Sequence, residues 1–118
     1  MMRPAEGVRV YLCQTAVDLR KSINGLSLLV EGTLGLSPFE PALYVFRNRH
    51  RDKVKVLYWE GNGFVVWYKR YEKQRVYWPE QSSDGVTAIT GRELNWLLDG
   101  YDLSKLRPHR KLSYATVL

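Results

Sequence analysis

The stretch KVKVLYWEGNGFVVWYKRY, residues 53–71, decides the fold of this sequence. It contains two runs rich in β-branched and aromatic residues, 53–60 and 64–71, which are typical of strands. The segment Gly61-Asn62-Gly63 between them accepts the positive φ angles that a tight hairpin turn requires. We therefore predict two antiparallel strands joined by this turn.

Further β-rich runs lie on both sides of this hairpin. Polar or Gly- and Pro-containing segments separate them, and the links in the middle of the chain are short. Because runs with short links usually pair with their sequence neighbours, they predict an antiparallel β-meander of about four to five strands. In the middle of the chain the meander adds Leu43–Arg47 and Arg75–Trp78 to the hairpin, while a separate first strand is predicted at Val8–Cys13 and a short strand-like segment at Val86–Ile89.

An N-terminal helix is predicted between the first two strands. Thr15 and Asp18 have the spacing of a capping box, with Asp in place of the usual Glu. Apolar residues then recur in steps of three and four, which predicts an amphipathic helix over about Val17–Glu31. Gly32 follows directly and is suited to cap the helix C-terminus.

A second, shorter helix is predicted near the end of the chain. Thr90 and Glu93 form another capping box, and Gly100 follows as a terminator. From about residue 101 the chain is basic and its periodicity is poor. We therefore expect a tail that either packs against the domain or is ordered by a partner.

Length and composition predict one small α+β domain over residues 1–118. The chain is 45% hydrophobic and 25% charged, which is enough apolar material for a core. It lacks an apolar run of about 18 residues and an apolar N-terminal stretch, so we expect no membrane contact and a cytoplasmic location. Cys13 is the single cysteine, and its apolar surroundings favour a buried thiol.

Catalytic motifs are lacking in this sequence, so we predict that the protein is not an enzyme. Nucleophiles, His clusters and paired carboxylates at useful spacing do not occur, and the glycines match no nucleotide-binding fingerprint. His50 and His109 each lack a second histidine at metal-ligand spacing and are interpreted as solvated. We expect no cofactor and no metal, although separate strands could still assemble a carboxylate metal site.

The most informative pattern is basic. The net charge is +6, which is the balance expected of polyanion binders. One cluster of cations surrounds the loop near residue 50 and another follows residue 68, so two adjacent hairpin tips would form one positive edge that neutralises phosphates. The alternative is that these tips are solvated and basic in order to discourage edge pairing.

Aromatic residues accompany the basic ones on the predicted sheet. Core packing is their default role, and base stacking is the alternative. Alternation along the strands places Trp59 and Trp67 on faces opposite Tyr58 and Tyr68, so one aromatic set is expected to reach the surface.

Three motifs carry a family resemblance. They are D-x-R-K at Asp18–Lys21, V-F-R-x-R-x-x-D-x-x-K at Val45–Lys55, and W-E-G-x-G at Trp59–Gly63. With TGRELNWLLDGYDL near the C-terminus, the chain resembles the TnpB-type accessory protein of insertion sequence sixty-six elements, which is distinct from the RNA-guided nucleases of the same label. Family-pattern positions are held by Arg20, Lys21, Arg47, Arg49, Asp52, Lys53, Lys55, Trp59, Gly61, Gly63, Lys69 and Arg70.

The resemblance implies a bacterial mobile-element protein that assists a separate transposase and carries no catalytic residue of its own. Our first hypothesis is an accessory protein that binds DNA phosphates through the two basic tips. The alternatives are a protein-interaction module that binds the transposase without touching DNA, and a metal-dependent nuclease. The candidate nucleic-acid-binding residues are Arg20, Lys21, Arg47, Arg49, Arg51, Lys53, Lys55, Lys69, Arg70, Lys73 and Arg75.

Overall fold

The computed structural model describes residues 7–79 and 85–106 as a five-stranded sheet with a helix on each face. The strand order is β4-β3-β2-β1-β5. This arrangement confirms the predicted α+β class. The elements are β1 Arg9–Cys13, α1 Ile23–Gly32, β2 Ala42–Arg47, β3 Lys53–Trp59, β4 Phe64–Arg70, β5 Val86–Ile89 and α2 Gly91–Leu98.

The predicted hairpin is present between β3 and β4. Trp59 pairs with Phe64 at the closed end of the ladder, and the Glu60 N–H donates a 2.8 Å hydrogen bond to the Gly63 carbonyl. Gly61 has a φ of 87°, which a side chain would strain. The β2-β3-β4 part of the sheet is therefore the antiparallel meander that the sequence predicts.

The sheet as a whole is mixed, which corrects the prediction of a purely antiparallel one. β1 runs parallel to β2, with Val10 opposite Leu43. The chain between these strands contains α1, and a crossover of this kind returns the chain to the same end of the sheet and so produces parallel strands. β5 completes the far edge by pairing antiparallel with β1.

The predicted strand at Arg75–Trp78 is wrong. That segment is irregular and lies across the β2–β3 loop, where the Val76 N–H donates a 2.8 Å hydrogen bond to the Arg51 carbonyl. The Arg75 guanidinium donates to the His50 carbonyl at 2.8 Å. Because these groups bond to a loop, no ladder forms there, and the fifth strand is β5 instead.

Helix α1 begins at Ile23, later than predicted, because the first predicted capping box does not form. The Asp18 carboxylate accepts the backbone N–H and the guanidinium of Arg20, so it is not available to a helix N-terminus. Ser22 is the N-cap residue and makes no side-chain cap. The helix continues through Gly32 and ends with Thr33, which donates its N–H to the Leu29 carbonyl.

Helix α2 has both of its predicted ends. The Glu93 N–H donates to Thr90 Oγ1, and the Thr90 N–H donates to Glu93 Oε1, each at 3.0 Å, which completes the capping box. At the other end Gly100 has a φ of 99°, and the Tyr101 N–H donates to the Trp96 carbonyl at 3.0 Å. This pattern is a Schellman terminus, which favours glycine at that position.

The sheet has a hydrophobic core on each face. The α2 core contains Val10, Leu12, Val45, Val54, Val56, Leu94, Leu97 and Leu98, and the α1 core contains Cys13, Leu26, Val30, Tyr44, Phe46 and Leu57. Cys13 is buried, as predicted. Leu103, in the first part of the predicted tail, is also buried, whereas residues 107–118 lie outside the described part of the chain. Within 7–79 and 85–106, no helix combines the length and apolarity needed to cross a bilayer.

Candidate nucleic-acid interface

An open groove of about 490 Å³ lies on the α1 face of the sheet, at the end where β2 and β4 finish. Arg20, Arg49, His50 and Lys53 line it together with Asp18 and the ring of Tyr68. We call this feature the basic groove. It brings together side chains from the β1–α1 loop, the β2–β3 loop and strands β3 and β4.

The first wall of the basic groove is the β1–α1 loop, which the sheet holds at two points. The Val17 N–H donates a 2.9 Å hydrogen bond to the Arg47 carbonyl at the end of β2. The Lys55 ammonium on β3 donates to the Lys21 carbonyl at 3.0 Å. Val17 and Leu19 are buried in the α1 core, so Asp18 and Arg20, which alternate with them, face solvent.

The second wall is the β2–β3 loop, which the Asn48 side chain organises. Asn48 Oδ1 accepts the N–H groups of Asp52 and Lys53 at 3.1 Å each, and Asn48 Nδ2 donates to Asp52 Oδ1 at 2.6 Å. Arg51 adopts a φ of 60°, an uncommon conformation for a side-chain-bearing residue. These contacts fix the loop so that Arg49 and His50 lie exposed at its tip.

Asp18 is the acidic residue among the described groove lining, and Arg20 neutralises it. Arg20 Nη2 lies 2.6 Å from Asp18 Oδ2, and its Nε lies within 3.1 Å of both carboxylate oxygens. The hydrogen bonds from Arg20 hold the pKa of the Asp18 carboxyl well below its usual range. Arg49 makes no hydrogen bond or ion pair within the described part of the chain, so its charge is available.

Lys21 and Lys55 flank the basic groove. The Lys55 ammonium lies 5.7 Å from the centroid of the Tyr68 ring, which is 48% exposed. Lys53 and Lys55 alternate with buried Val54 and Val56, so their ammonium groups lie on the same face of β3. The groove and its flanks therefore unite five of the predicted cations: Arg20, Lys21, Arg49, Lys53 and Lys55.

Three other predicted cations donate to backbone carbonyls, as Lys55 and Arg75 also do. Arg47 donates to the Gln14 carbonyl at 3.0 Å, Arg51 donates to the Val76 carbonyl at 3.4 Å, and Lys69 donates to the Leu98 carbonyl at 2.8 Å. Burial lowers the pKa of Arg47, and the nearby charge of Arg51 adds to this effect. The geometry thus gives these three side chains structural contacts within the protein.

The remaining predicted cations, Arg70, Lys73 and Arg75, lie in and after the end of β4. Arg70 is directly opposite Lys53 in the β3–β4 ladder, so the two predicted basic clusters do meet at one end of the sheet. Arg70 forms a 2.9 Å ion pair with Glu72, and all three side chains are exposed. The second cluster spans the end of β4 and the irregular segment after it, however, and does not form a hairpin tip.

Sequence reasoning missed Asn48 and Tyr68 as parts of this site. The role of Asn48 could have been predicted from the sequence, because Asn side chains commonly accept hydrogen bonds from backbone N–H groups in tight loops. Tyr68 belongs to an aromatic strand, and its position at the groove follows only from the register that pairs it with Lys55.

A second exposed feature lies at the other end of the same face. Phe39, Trp59 and Phe64 have ring centroids 4.9–5.3 Å apart, and Phe39 is 54% exposed. We call these residues the aromatic cluster.

Across the described ranges, no three His, Cys, Asp or Glu side chains form a group that could hold a metal ion, so the nuclease alternative gains no support from these residues.

The chain therefore belongs to the class of small α+β proteins with a mixed sheet, and it carries a group of cations around one open groove. Comparison with known families places it further: the family described as IS66 Orf2 like protein matches residues 8–108. The chain belongs to this family. Membership associates it with transposition as an accessory protein and confirms the resemblance seen in the sequence motifs.

Two curated relatives come from Sinorhizobium fredii. The chain is 33% identical to uncharacterized protein y4hO over 86% of its own length and 88% of the relative. It is 29% identical to uncharacterized protein y4jC, with 91% of each chain covered. No solved structure matches the chain.

Proposed function

We propose that this protein is a non-catalytic accessory factor of transposition that binds DNA phosphates in the basic groove and assists a separate transposase. The observation that carries the proposal is the convergence of Arg20, Arg49 and Lys53 around one open groove. Their charges come from two loops and a strand that are distant in the sequence. If the cations served only to discourage strand pairing at the sheet edge, they would have no reason to converge on one groove.

The electrostatics of the groove suit a polyanion. Arg20 offsets Asp18, and the Lys53 ammonium lies 3.9 Å from the Asp52 carboxylate, while Arg49, Lys21 and Lys55 add positive charge around the same opening. Cations grouped in this way neutralise neighbouring phosphates and release their counterions, which supplies most sequence-independent affinity for DNA. His50 and Tyr68 add a hydrogen-bonding group and an aromatic ring beside the phosphate-binding groups.

Fluorescence anisotropy tests the proposal. A labelled duplex from the element end and a scrambled duplex are each titrated with the protein over a series of salt concentrations. We expect binding to both duplexes with a steep linear dependence of log K on log salt, and Arg49→Gln or Lys53→Gln should reduce that slope by up to about 0.9 each.

Arg9→Gln is the matched control. Arg9 begins β1 at the opposite end of the sheet from the groove and is exposed, so the substitution removes the same charge at another site. It should leave the slope within about 0.3 of the wild-type value. Absence of binding at low salt would overturn the proposal, and equal losses for Arg9→Gln and Arg49→Gln would place the DNA outside the groove.

The aromatic cluster favours a second candidate function, contact with the transposase. Phe39 is more than half exposed, and the neighbouring Trp59 and Phe64 are partly exposed. Exposed aromatic side chains that touch one another are typical of protein–protein contacts. This function is compatible with DNA binding, because the aromatic cluster and the basic groove lie at opposite ends of the sheet.

Calorimetric titration with the transposase of the same element tests this candidate. Phe39→Ala should weaken the interaction by about tenfold or more. Leu28→Ala is the control, since Leu28 is an apolar residue on α1 that is 66% exposed and separate from the cluster. Equal effects of the two substitutions would argue against the aromatic cluster as the contact.

A further inference from the structure

Strand β4 forms one edge of the sheet and is long for an edge strand. It extends over Phe64–Arg70 and pairs with β3 alone. Each of its seven residues is at least partly exposed, whereas β2 in the middle of the sheet is buried over Ala42–Phe46. Strand β4 therefore leaves apolar and aromatic side chains partly exposed on both faces at the edge of the sheet.

The hydrogen-bond phase of the β3–β4 ladder defines which backbone groups point outward. The Glu60 N–H donates to the Gly63 carbonyl, and the Tyr71 N–H donates to the Asp52 carbonyl, so bonded pairs fall on even-numbered residues of β3. Because bonded and non-bonded pairs alternate in an antiparallel ladder, alternate residues of β4 bond to β3. The backbone N–H and carbonyl groups of Val65, Trp67 and Lys69 point toward β3. The backbone N–H and carbonyl groups of the alternate residues point outward, and these residues are Phe64, Val66, Tyr68 and Arg70.

These outward-facing N–H and carbonyl groups make no backbone hydrogen bond elsewhere in residues 7–79 and 85–106. The strand also lacks the usual protection of an edge. It contains no proline, and its register with β3 is continuous from Phe64 to Arg70, without a bulge. Its charges, on Lys69 and Arg70, occupy one end only. An edge of this kind is a template for another strand.

We propose that the partner strand is β4 of a second copy of this chain, paired antiparallel about a two-fold axis at Trp67. This arrangement is self-complementary, because Phe64 then pairs with Arg70 and Val66 with Tyr68, and all of these residues face outward. Both members of every bonded pair thus supply groups that are otherwise unpaired. The two sheets become one continuous sheet.

Charge selects the antiparallel arrangement over the parallel one. In the antiparallel register Lys69 and Arg70 of each copy lie opposite the apolar Val65 and Phe64 of the other. An in-register parallel arrangement would place Lys69 and Arg70 of one chain beside the same two residues of the other chain. Like charges in directly opposing positions are destabilising. The two Trp67 side chains meet across the axis, and tryptophan is among the residues most enriched at the centre of interfaces.

Amide hydrogen exchange, measured residue by residue by NMR, tests this pairing on the full chain. The amides of Val65, Trp67 and Lys69 are internal controls, because they bond to β3 with or without a partner. The amides of Phe64, Val66, Tyr68 and Arg70 should exchange at least about tenfold more slowly at about 500 µM than at about 5 µM protein, in step with a dimer mass in sedimentation. Fast exchange of the outward amides at both concentrations, or slow exchange together with a monomer mass, would overturn the proposal.

A matched pair of substitutions at Tyr68 provides a second test. Tyr68→Pro removes an outward-facing N–H without removing a bond to β3, and proline is tolerated in edge strands at such positions. Tyr68→Ala removes the same exposed side chain and keeps the N–H. We expect Tyr68→Pro to be monomeric at about 500 µM and Tyr68→Ala to retain a concentration-dependent dimer. A dimer in both variants would contradict the proposed edge, and if Tyr68→Pro does not fold, the exchange measurement on the unmodified chain decides.

Discussion

The Lys69 ammonium donates a 2.8 Å hydrogen bond to the carbonyl oxygen of Leu98, the last residue of α2. The Tyr71 hydroxyl donates to the same oxygen at 2.9 Å, and the ammonium lies 4.7 Å from the centroid of the Tyr71 ring. The C-terminus of a helix carries a partial negative charge and unpaired carbonyls, so a cation is stabilising there. Lys69 therefore joins the edge strand β4 to helix α2.

We expect Lys69→Met to lower the free energy of unfolding by about 1–2 kcal/mol, because it removes a charged donor from the α2 terminus while keeping the aliphatic stem. Urea unfolding followed by circular dichroism measures this change. Lys73→Met, at an exposed position four residues away, should remain within about 0.5 kcal/mol of the wild type. The prediction fails if both substitutions cost the same, since the contact with Leu98 would then contribute nothing specific.

Removing the negative charge of Asp18 should strengthen DNA binding. Asp18→Asn leaves Arg20 with its full charge in the basic groove, so we expect a severalfold higher affinity and a salt slope steeper by up to about 0.9. Because Arg20 holds the pKa of Asp18 well below its usual range, the wild-type carboxylate stays ionised between about pH 5.5 and pH 8. The affinity ratio of variant to wild type should therefore be the same at both pH values.

Glu60→Gln is the control for this measurement. It removes the same charge at the hairpin turn, at the end of the sheet that is remote from the groove. The affinity should change by less than about twofold. A ratio for Asp18→Asn that falls towards one at about pH 5.5 would contradict the assigned ionisation of Asp18.

Asn48 should be required for both stability and DNA binding. Asn48→Ala removes the acceptor for the Asp52 and Lys53 N–H groups and the donor to the Asp52 carboxylate, and we expect a loss of about 2 kcal/mol. Arg49 is the next residue, so loosening the loop should also weaken DNA binding. Thermal unfolding and anisotropy measure the two effects. Asn62→Ala, at the exposed hairpin turn, should change stability and DNA affinity only slightly. Equal losses in Asn62→Ala and Asn48→Ala would contradict the role assigned to Asn48.

Tyr44 should make stability fall at alkaline pH. Its hydroxyl donates a 2.6 Å hydrogen bond to the Ser37 carbonyl, and burial, aided by the charge of Glu40, raises the pKa of Tyr44 to about 12. Between about pH 10 and pH 12 the unfolded chain ionises this group while the folded chain keeps its proton. The stabilisation is therefore complete below about pH 10 and is lost as the pH rises towards 12, by about 2 kcal/mol.

Tyr44→Phe has no hydroxyl and should lose less stability over that pH range. At neutral pH it should be about 1 kcal/mol less stable than the wild type because the bond to Ser37 is missing. Denaturant unfolding at about pH 9 and about pH 11.5 gives the comparison. Tyr77→Phe, at an exposed position, should follow the wild-type profile. Parallel profiles for all three proteins would show that Tyr44 does not contribute.

The hairpin and the α2 ends were predictable because their signals are local. Gly61 and Gly100 each occupy a positive φ that few other residues accept, and the Thr90–Glu93 capping box bonds only to itself. Thr15 and Asp18 have the same spacing, but Arg20 competes successfully for the carboxylate. A spacing rule does not include such a competitor, which is why α1 begins later than predicted.

Non-local contacts decided what the sequence did not predict. The Arg75–Trp78 run is strand-like in composition, yet the Arg51 and His50 carbonyls accept its donors. The same dependence limits the site prediction: charge alone selects Lys69 and Arg47 along with Arg49. Only the packed structure shows that Arg49 lines the groove, whereas Lys69 and Arg47 bond to the carbonyls of Leu98 and Gln14.

The parallel pairing of β1 with β2 has a consequence for the order in which the chain folds. β1 precedes the other four strands of the sheet along the chain, yet it is an interior strand whose neighbours, β2 and β5, come from the middle and the later part of the chain. The β2-β3-β4 meander has only short loops to close and can form early, whereas β1 must wait for a crossover and for β5. An interior strand is thus completed in the last folding step, so mutations in the hairpin turn should mainly slow folding, whereas mutations in β5 should mainly speed unfolding.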